Sequence, residues 1–321
     1  MESKNKTVSV VMCTYNGAKY IREQLDSIVR QTYPIHEIII NDDISTDETV
    51  DIVKEYMTRY DNIHLSINPK RLGAHPNFMV ALGKATGDYI AISDQDDIWE
   101  LTKIEKQMSC IEGHALCYSL SQDFSDGVAA DPECRVPNAN VLRLLFYPTI
   151  PGHAMVFKRS VVSSIPKMEQ AMAYDLLLAL SANLCGEGGI VVCPEILNHH
   201  RRHSNAFSYS NLKNYNKTVL NIFHYVCSGI VGYFKKRDRI RNHFHAMNRL
   251  LSAFNPNMQD EMVKDSFLFS QCMSEGTFIS MLKASLVCLR RRNEIFYAKT
   301  KDNIVLKTRA LLWPLLCSEY Y

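Results

Sequence analysis

Between Thr7 and Ser93 short runs of β-branched and apolar residues alternate four times with stretches of helical spacing, and that alternation leaves few folds open. Thr7 to Thr14 (TVSVVMCT), Glu37 to Asn41 (EIIIN), Ile63 to Ile67 and Asp88 to Ser93 (DYIAIS) read as strands, the first two buried on both faces. Between them, Ala18 to Gln31, Asp47 to Tyr60 and Asn77 to Ala85 carry apolar residues at helical intervals, and Pro34 and Gly87 end the first and last of these patterns. Strands separated by helices over short links define an α/β domain with a mostly parallel sheet covered by helices on both faces. The Gly113 to Pro151 stretch reads as irregular, with turn signals at Asp126-Gly127 and Asp131-Pro132. Gly152 to Lys158 and Gly189 to Cys193 return to strand character, and Tyr174 to Ala182 reads as a helix.

Charge divides the chain where periodicity does. Residues 1–205 hold 19 Lys and Arg against 26 Asp and Glu, a net −7. Residues 206–321 hold 17 against 8, a net +9. We therefore expect an α/β catalytic domain over 1–206 and a basic, mostly helical C-terminal extension over 207–321. The whole is not basic enough for a nucleic-acid binder. Ten cysteines without a CxxC pair, several of them in apolar runs, read as reduced thiols of a cytoplasmic protein, and the polar Met1 to Lys6 predicts no secretory leader.

Chemistry concentrates at strand ends. Ser93-Asp94-Gln95-Asp96-Asp97 places three carboxylates in four residues directly after a buried strand, an arrangement that a divalent cation would neutralise. Oxygen donors favour Mg²⁺ or Mn²⁺; a solvated loop, or Asp97 capping a helix that starts near Trp99, is the alternative. A second acidic cluster, Asn41 to Asp47, ends another strand. There Ser45 or Asp47 suits a helix N-cap, leaving Asp42 or Asp43 for a base or ribose. The first strand-to-helix turn, Thr14 to Gly17, has neither GxGxxG nor a Walker lysine, so no glycine-rich phosphate cradle is expected.

These motifs, with Val8 to Asn16, Asp42 to Asp47, Gly87-Asp88-Tyr89-Ile90 and Ser93 to Trp99 in this order and spacing, resemble the family 2 glycosyltransferases of GT-A fold. The SDQDDIW form is most similar to the rhamnosyltransferase-like branch, which builds bacterial surface polysaccharides. The resemblance covers residues 6 to 206. It implies a metal-dependent inverting transfer from a UDP- or dTDP-sugar to a saccharide or lipid-linked saccharide. Thr14, Tyr15, Asp42, Asp43, Arg71, Asn77 and Asp94 then fall at nucleotide-binding positions, with Gly73 beside them. Asp94 and Asp96 match the DXD carboxylates. His203 would ligate the metal or a phosphate, and Arg201 would neutralise the leaving group.

Asp175 matches the general base, but the family's His-Asp-Trp-Trp pattern reads Tyr174-Asp175-Leu176-Leu177 here, which bears on acceptor preference. Ile44 stands where the family usually has Gly. The alternative from another class is a catalytically silent GT-A-like domain acting as a membrane or assembly partner. His153 suits an acceptor site or a hydrogen-bonded core position equally. His199, His200 and His203 match a zinc cluster by count, yet lack further ligands at suitable spacing.

In the basic part, Leu220, Phe223, Cys227, Ile230 and Phe234 precede Lys235 to Arg241, and Phe278 to Leu289 precede Arg290-Arg291-Arg292. Leu311 to Leu316 is apolar again. Such helices either pack on the protein or lie on an anionic membrane, where each basic residue contributes about 1 kcal/mol. Peripheral contact at the inner face of the cytoplasmic membrane would suit a lipid-linked acceptor.

Overall fold

The computed structural model describes residues 6–125, 128–129, 139–146, 150–166, 172–203, 219–254, 259–296 and 304–316, the side chains of 128–129 and 219–227 excepted. Its chain forms two compact units, one of residues 1–137 and 150–209, the other of residues 138–149 and 210–321. Residues 138–149, which the sequence places inside the first domain, therefore belong to the second unit.

In chain order the elements are β1 (Val8–Thr14), α1 (Ile21–Val29), β2 (Glu37–Asp42), α2 (Thr49–Met57), β3 (Ile63–Ile67), α3 (Ala74–Leu82), β4 (Tyr89–Ser93), β5 (Ile98–Trp99), α4 (Lys103–Cys110), β6 (Leu116–Ser125) and β7 (Val128–Ala129). There follow α5 (Val141–Leu144), a 3₁₀ turn (Gly152–Ala154), β8 (Met155–Lys158), α6 (Arg159–Ser164), α7 (Tyr174–Leu184) and β9 (Ile190–Arg201). The second unit comprises α5 with α8 (Val219–Ala253), α9 (Glu261–Glu275), α10 (Phe278–Arg290), α11 (Arg292–Ile295) and α12 (Ile304–Leu316).

The first unit is built on one sheet in the order β3-β2-β1-β4-β8-β6-β9-β5, with β7 paired to β6. Strands β1 to β4 are parallel, as their apolar runs predict. Val8, Val10 and Met12 bury one face of β1 against Ile21, Leu25 and Ile28 of α1 and Ile52 and Val53 of α2. Each such side chain contributes about 1.5–3 kcal/mol. Val11 alternates to the other face, and α3 packs on β1 and β2.

Beyond β4 the sheet departs from a mostly parallel one, because β8 runs antiparallel to both β4 and β6. Strand β6 lies in the stretch read as irregular. Its second half, Leu120 to Ser125, is only partly buried, so its polar side chains hide the apolar signal. The helix expected near Trp99 starts instead at Lys103, and Ile98 and Trp99 form β5, paired antiparallel with His199 and Asn198 of β9. This short pairing brings the acidic loop after β4 against the end of β9.

The helices of the second unit are set by local signals. Asp260 caps α9 through Met262 N at 2.7 Å, left-handed Gly276 ends it, and Thr277 opens α10 in a capping box with Ser280. Phe278 is 86% exposed, and Ile279, Leu282 and Leu286 are exposed beside it. Arg290 and Arg291 both pair with the buried Asp265 and Arg292 donates to the Leu289 carbonyl at 2.7 Å, so all three cations at the end of α10 are held by the fold. The Leu220, Phe223 and Cys227 side chains of the proposed apolar stripe lie outside the described residues. Among the described residues, no helix is long and apolar enough to cross a membrane.

Candidate active site

The carboxyl ends of β1, β2 and β4 lie side by side, with Thr14 level with Asp42 in the ladder and Met12 level with Ser93. Loops leaving these ends must satisfy buried backbone groups, and they do so through one another. Asp42 is wholly buried and accepts from Thr14 Oγ1 at 2.7 Å, Ser45 N at 2.8 Å and Ser45 Oγ at 2.5 Å. Its neighbour Asp43 accepts from Leu72 N at 2.7 Å, Gly73 N at 2.8 Å and Asn68 Nδ2 at 2.9 Å. Burial opposes ionisation of Asp43, but these donors, with Arg71 nearby, hold its carboxyl below the usual range.

Beneath Asp43 is a buried amide triad. Asn41 Nδ2 donates to Asn68 Oδ1 at 2.9 Å and to Asn77 Oδ1 at 2.5 Å, while Asn77 Nδ2 returns a bond to the Asn41 carbonyl at 3.0 Å. Asn77 thus acts within this buried network. Arg71 lies 4.0 Å over the Tyr15 ring, a cation–π pair beside Asp43.

The turn after β1 is clamped from the acidic loop. Gln95 Oε1 accepts from Tyr15 N at 2.9 Å and its Nε2 donates to Tyr15 O at 3.1 Å. Gly17 is required by this clamp, since a Cβ there would lie 2.2 Å from Gln95 Oε1. Asp47, expected to cap α2, accepts from Thr49 N at 3.1 Å and also from Ala18 N at 3.1 Å, tying the two loops together.

Ile44 adopts a left-handed φ of 63°, which is strained for a β-branched residue. Left-handed backbone costs an L-residue about 1–2 kcal/mol, partly offset by the greater unfolded-state freedom of glycine. Ile44→Gly is therefore expected to raise stability by about 0.5–1 kcal/mol in urea unfolding; a decrease would show that the Ile44 side chain contributes packing that outweighs the strain.

The three carboxylates of the acidic loop part company. Asp94 Oδ2 lies 3.1 Å from His153 Nδ1, and the wholly buried Asp97 lies 3.5 Å from the same nitrogen. Asp97 also accepts from Asn198 Nδ2 at 2.8 Å and Arg201 N at 3.1 Å, so it is neither solvated nor a helix cap. Asp96 meets His203 Nε2 at 2.8 Å. Burial pushes the Asp96 carboxyl up, as do the charges of Asp94 and Asp97. Burial opposes ionisation of Asp94 as well, but His153, with His200 behind it, holds that carboxyl below its usual value.

One ligating atom each from Asp94, Asp97 and His153 lie within 4.8 Å of one another. Two carboxylates and an imidazole suit Mn²⁺ well and Mg²⁺ through its carboxylates, so the donor chemistry fits a divalent cation. The sequence pointed to Asp94, Asp96 and His203. The structure brings Asp94 to Asp97 and His153, and pairs Asp96 with His203. A lone histidine after a glycine carries little signal, so His153 was not separable from a core histidine.

The three late histidines engage three different carboxylates: His199 with Glu100, His200 with Asp123 and His203 with Asp96. They do not converge on a zinc. His200 stacks on His153 with ring centroids 4.7 Å apart. A hydrogen bond from His200, joined by Arg202 against the cost of burial, brings the Asp123 carboxyl down to about 2. Arg201 donates to the Asp96 carbonyl at 2.9 Å, pairs with Glu23 at 2.8 Å and lies 4.6 Å from each of the Tyr20 and Phe124 rings. Its charge is fixed beside Asp96.

Asp175 sits in the first turn of α7, accepting from Leu176 N at 2.8 Å. Burial pushes its carboxyl up and the Asp94 charge adds to the shift, against the Leu176 N–H and His75. Tyr174 beside it is buried and stacks on Phe78 at 4.2 Å.

The strand ends thus gather the buried carboxyls of Asp42, Asp43 and Asp97 and the Asp94, Asp97 and His153 cluster, with Asp175 in reach of the Asp94 charge. Staphylococcus aureus TarS 1–349, solved in complex with UDP-GlcNAc, has the same fold, with a TM-score of 0.58 at 15% identity over 98% of this chain and 91% of that one. Residues 9–163 match the family described as Glycosyl transferase family 2. The putative glycosyltransferase EpsE of Bacillus subtilis is 36% identical over 173 residues, 53% of this chain and 58% of that one. The dTDP-rhamnosyl transferase RfbG of Shigella flexneri is 43% identical over 115 residues, 34% and 39% of the two chains. Over residues 9–163, just under half of its length, the chain matches the family 2 glycosyltransferases. It spans about three fifths or less of the length of these curated relatives.

Proposed function

We propose that the protein is an inverting glycosyltransferase that moves a sugar from a nucleoside-diphosphate donor, of uridine or thymidine type, to a saccharide or lipid-linked saccharide in bacterial polysaccharide synthesis. The observation that carries this reading is the convergence of Asp43, the Asp94 to Asp97 loop and Asp175 about the carboxyl ends of β1, β2 and β4, where α/β sheets bind ligands. The similarity to RfbG favours a deoxyhexosyl donor, and the complex of TarS favours a uridine nucleotide.

Tyr15, with Arg71 on its ring, provides a planar face for the base, and the remaining lone pairs of Asp43 accept from a base N–H. The oxygens of Asp42 are engaged by Thr14 and Ser45, so Asp42 and Thr14 act by fixing the loop. Asp94, with Asp97 and His153 or with Asp96 and His203, would hold Mg²⁺ or Mn²⁺. Such a cation supplies stabilisation of the charge growing on the diphosphate. Arg201 and His203 add fixed positive charge and a donor on the same side. Asp175, kept basic enough by its burial, takes the proton from the acceptor hydroxyl, and attack from the face opposite the leaving group inverts the anomeric carbon. Leu176 and Leu177 give the acceptor side an aliphatic lining in place of two indoles.

The exposed apolar side chains of α10, with Lys283 on the same helix, support contact with an anionic membrane at the inner face of the cytoplasmic membrane. Flotation with anionic liposomes tests this; equal binding after deletion of residues 207–321 rejects it. The enzymatic reading is tested by a screen of nucleotide sugars with Mn²⁺, following release of nucleoside diphosphate by the wild type and by Asp96→Ala. Metal-dependent turnover lost in the variant is the expected result. No turnover with any donor would leave a silent GT-A-like domain.

A further inference from the structure

We propose that Lys103 and Gln107 are positioning residues for the cation site, fixing from within the core the Gly152–Ala154 turn that aims His153 at Asp94 and Asp97. The proposal rests on the reading of these three residues as cation donors. Lys103 and Gln107 stand one turn apart on α4, on one helix face, and neither is exposed. Lys103 Nζ donates to the His153 carbonyl at 3.0 Å, and Gln107 Nε2 donates to the Ala154 carbonyl at 2.7 Å. One helix thus grips two successive carbonyls of a three-residue turn, in which backbone bonding alone leaves much freedom.

The turn is confined from its other end too. Tyr174 leans on Gly152 so closely that a Cβ there would lie 2.1 Å from the phenol oxygen. Held at both ends, the turn presents its imidazole with Nδ1 to Asp94 and Asp97 and Nε2 3.1 Å from Ser121 Oγ. An apolar side chain would fill the place of Lys103 at lower desolvation cost. Lys103 Nζ, 4.8 Å from the Trp99 ring, instead supplies a hydrogen bond to the backbone of His153, which carries the imidazole.

Partners that orient metal-binding histidines typically alter metal affinity 10- to 100-fold when removed. In the cation-free full chain, Lys103→Met and Gln107→Leu are expected to shift the imidazole ¹⁵N resonances of His153. With Mn²⁺ alone as the probe, followed by electron paramagnetic resonance, both are expected to weaken binding about 10- to 100-fold for Lys103 and less for Gln107. Lys106→Met, on the exposed face of the same helix, should change neither. A folded variant with lowered thermal stability but unmoved His153 resonances would overturn the proposal, as would moved resonances with Mn²⁺ affinity within twofold of wild type. If Lys103→Met does not fold, Gln107→Leu carries the test. Should the wild type itself bind no Mn²⁺, the cation reading fails, and the resonances alone decide whether the helix positions the ring.

Discussion

Asp175→Asn is expected to lower kcat by about 10² to 10⁴-fold with donor KM changed little, because it removes the proton acceptor and leaves the nucleotide pocket untouched. The amide can still accept from Leu176 N, which the carboxylate does at 2.8 Å, so the start of α7 should persist and circular dichroism should match wild type. The pH profile sharpens the test. Burial raises the Asp175 carboxyl, so the base is lost by protonation as pH falls through a value above the ordinary carboxylate range. The wild-type kcat/KM should show that acidic limb, and the residual activity of the variant should lack it. An unchanged limb would assign the base elsewhere.

Asp96→Asn is expected to have opposite effects on activity and stability. Activity should fall at least 10²-fold through loss of charge at the cation site. The cation-free protein should become more stable. Because burial and the charges of Asp94 and Asp97 raise the Asp96 carboxyl, its ionised form is disfavoured in the fold relative to the unfolded chain. That destabilisation is present at neutral pH and vanishes below the ordinary carboxylate range, where both states are protonated. At pH 7 the gain should be about 1 kcal/mol, or about 2–4 °C in Tm. Adding Mn²⁺ with a nucleoside diphosphate should reverse the order, since only the wild type retains the full charge. Thermal unfolding with and without the cation checks both signs; a cation-free variant less stable than wild type would show that Asp96 and His203 form a net stabilising pair.

The parallel half of the sheet was legible because β1, β2 and β4 are buried on both faces and spell that burial in consecutive apolar residues. Strand β6 and the second half of β9, beyond the Gly189 to Cys193 run that reads as a strand, were not, for a reason tied to their task. Ser121, Asp123, Asn198, His200 and Arg201 are polar because they face the acidic loop and its histidines, and a strand that lines a site loses the alternation by which strands are recognised. The acidic loop was legible as a cluster, but the division of labour within it was not. Asp97 is buried because Asn198 and the Arg201 N–H reach it from a hundred positions away, and no local pattern encodes that. Likewise Asp42 and Asp43 are adjacent and chemically identical, and their separate engagements depend on where Ser45 and the Leu72–Gly73 backbone come to rest.

The two-residue strand β5 has a consequence for how the molecule acquires its site during synthesis. Ile98 and Trp99 pair with His199 and Asn198, so the acidic loop gains the donors of β9 only when about a hundred further residues have been made and have folded back. The pairings among parallel strands β1 to β4 are available far earlier, with only the outer side of β4 waiting for β8. A nascent chain can thus settle its parallel half while Asp97 still lacks Asn198 and Asp96 still lacks His203, and the surroundings of the proposed cation site are completed late, together with the sheet.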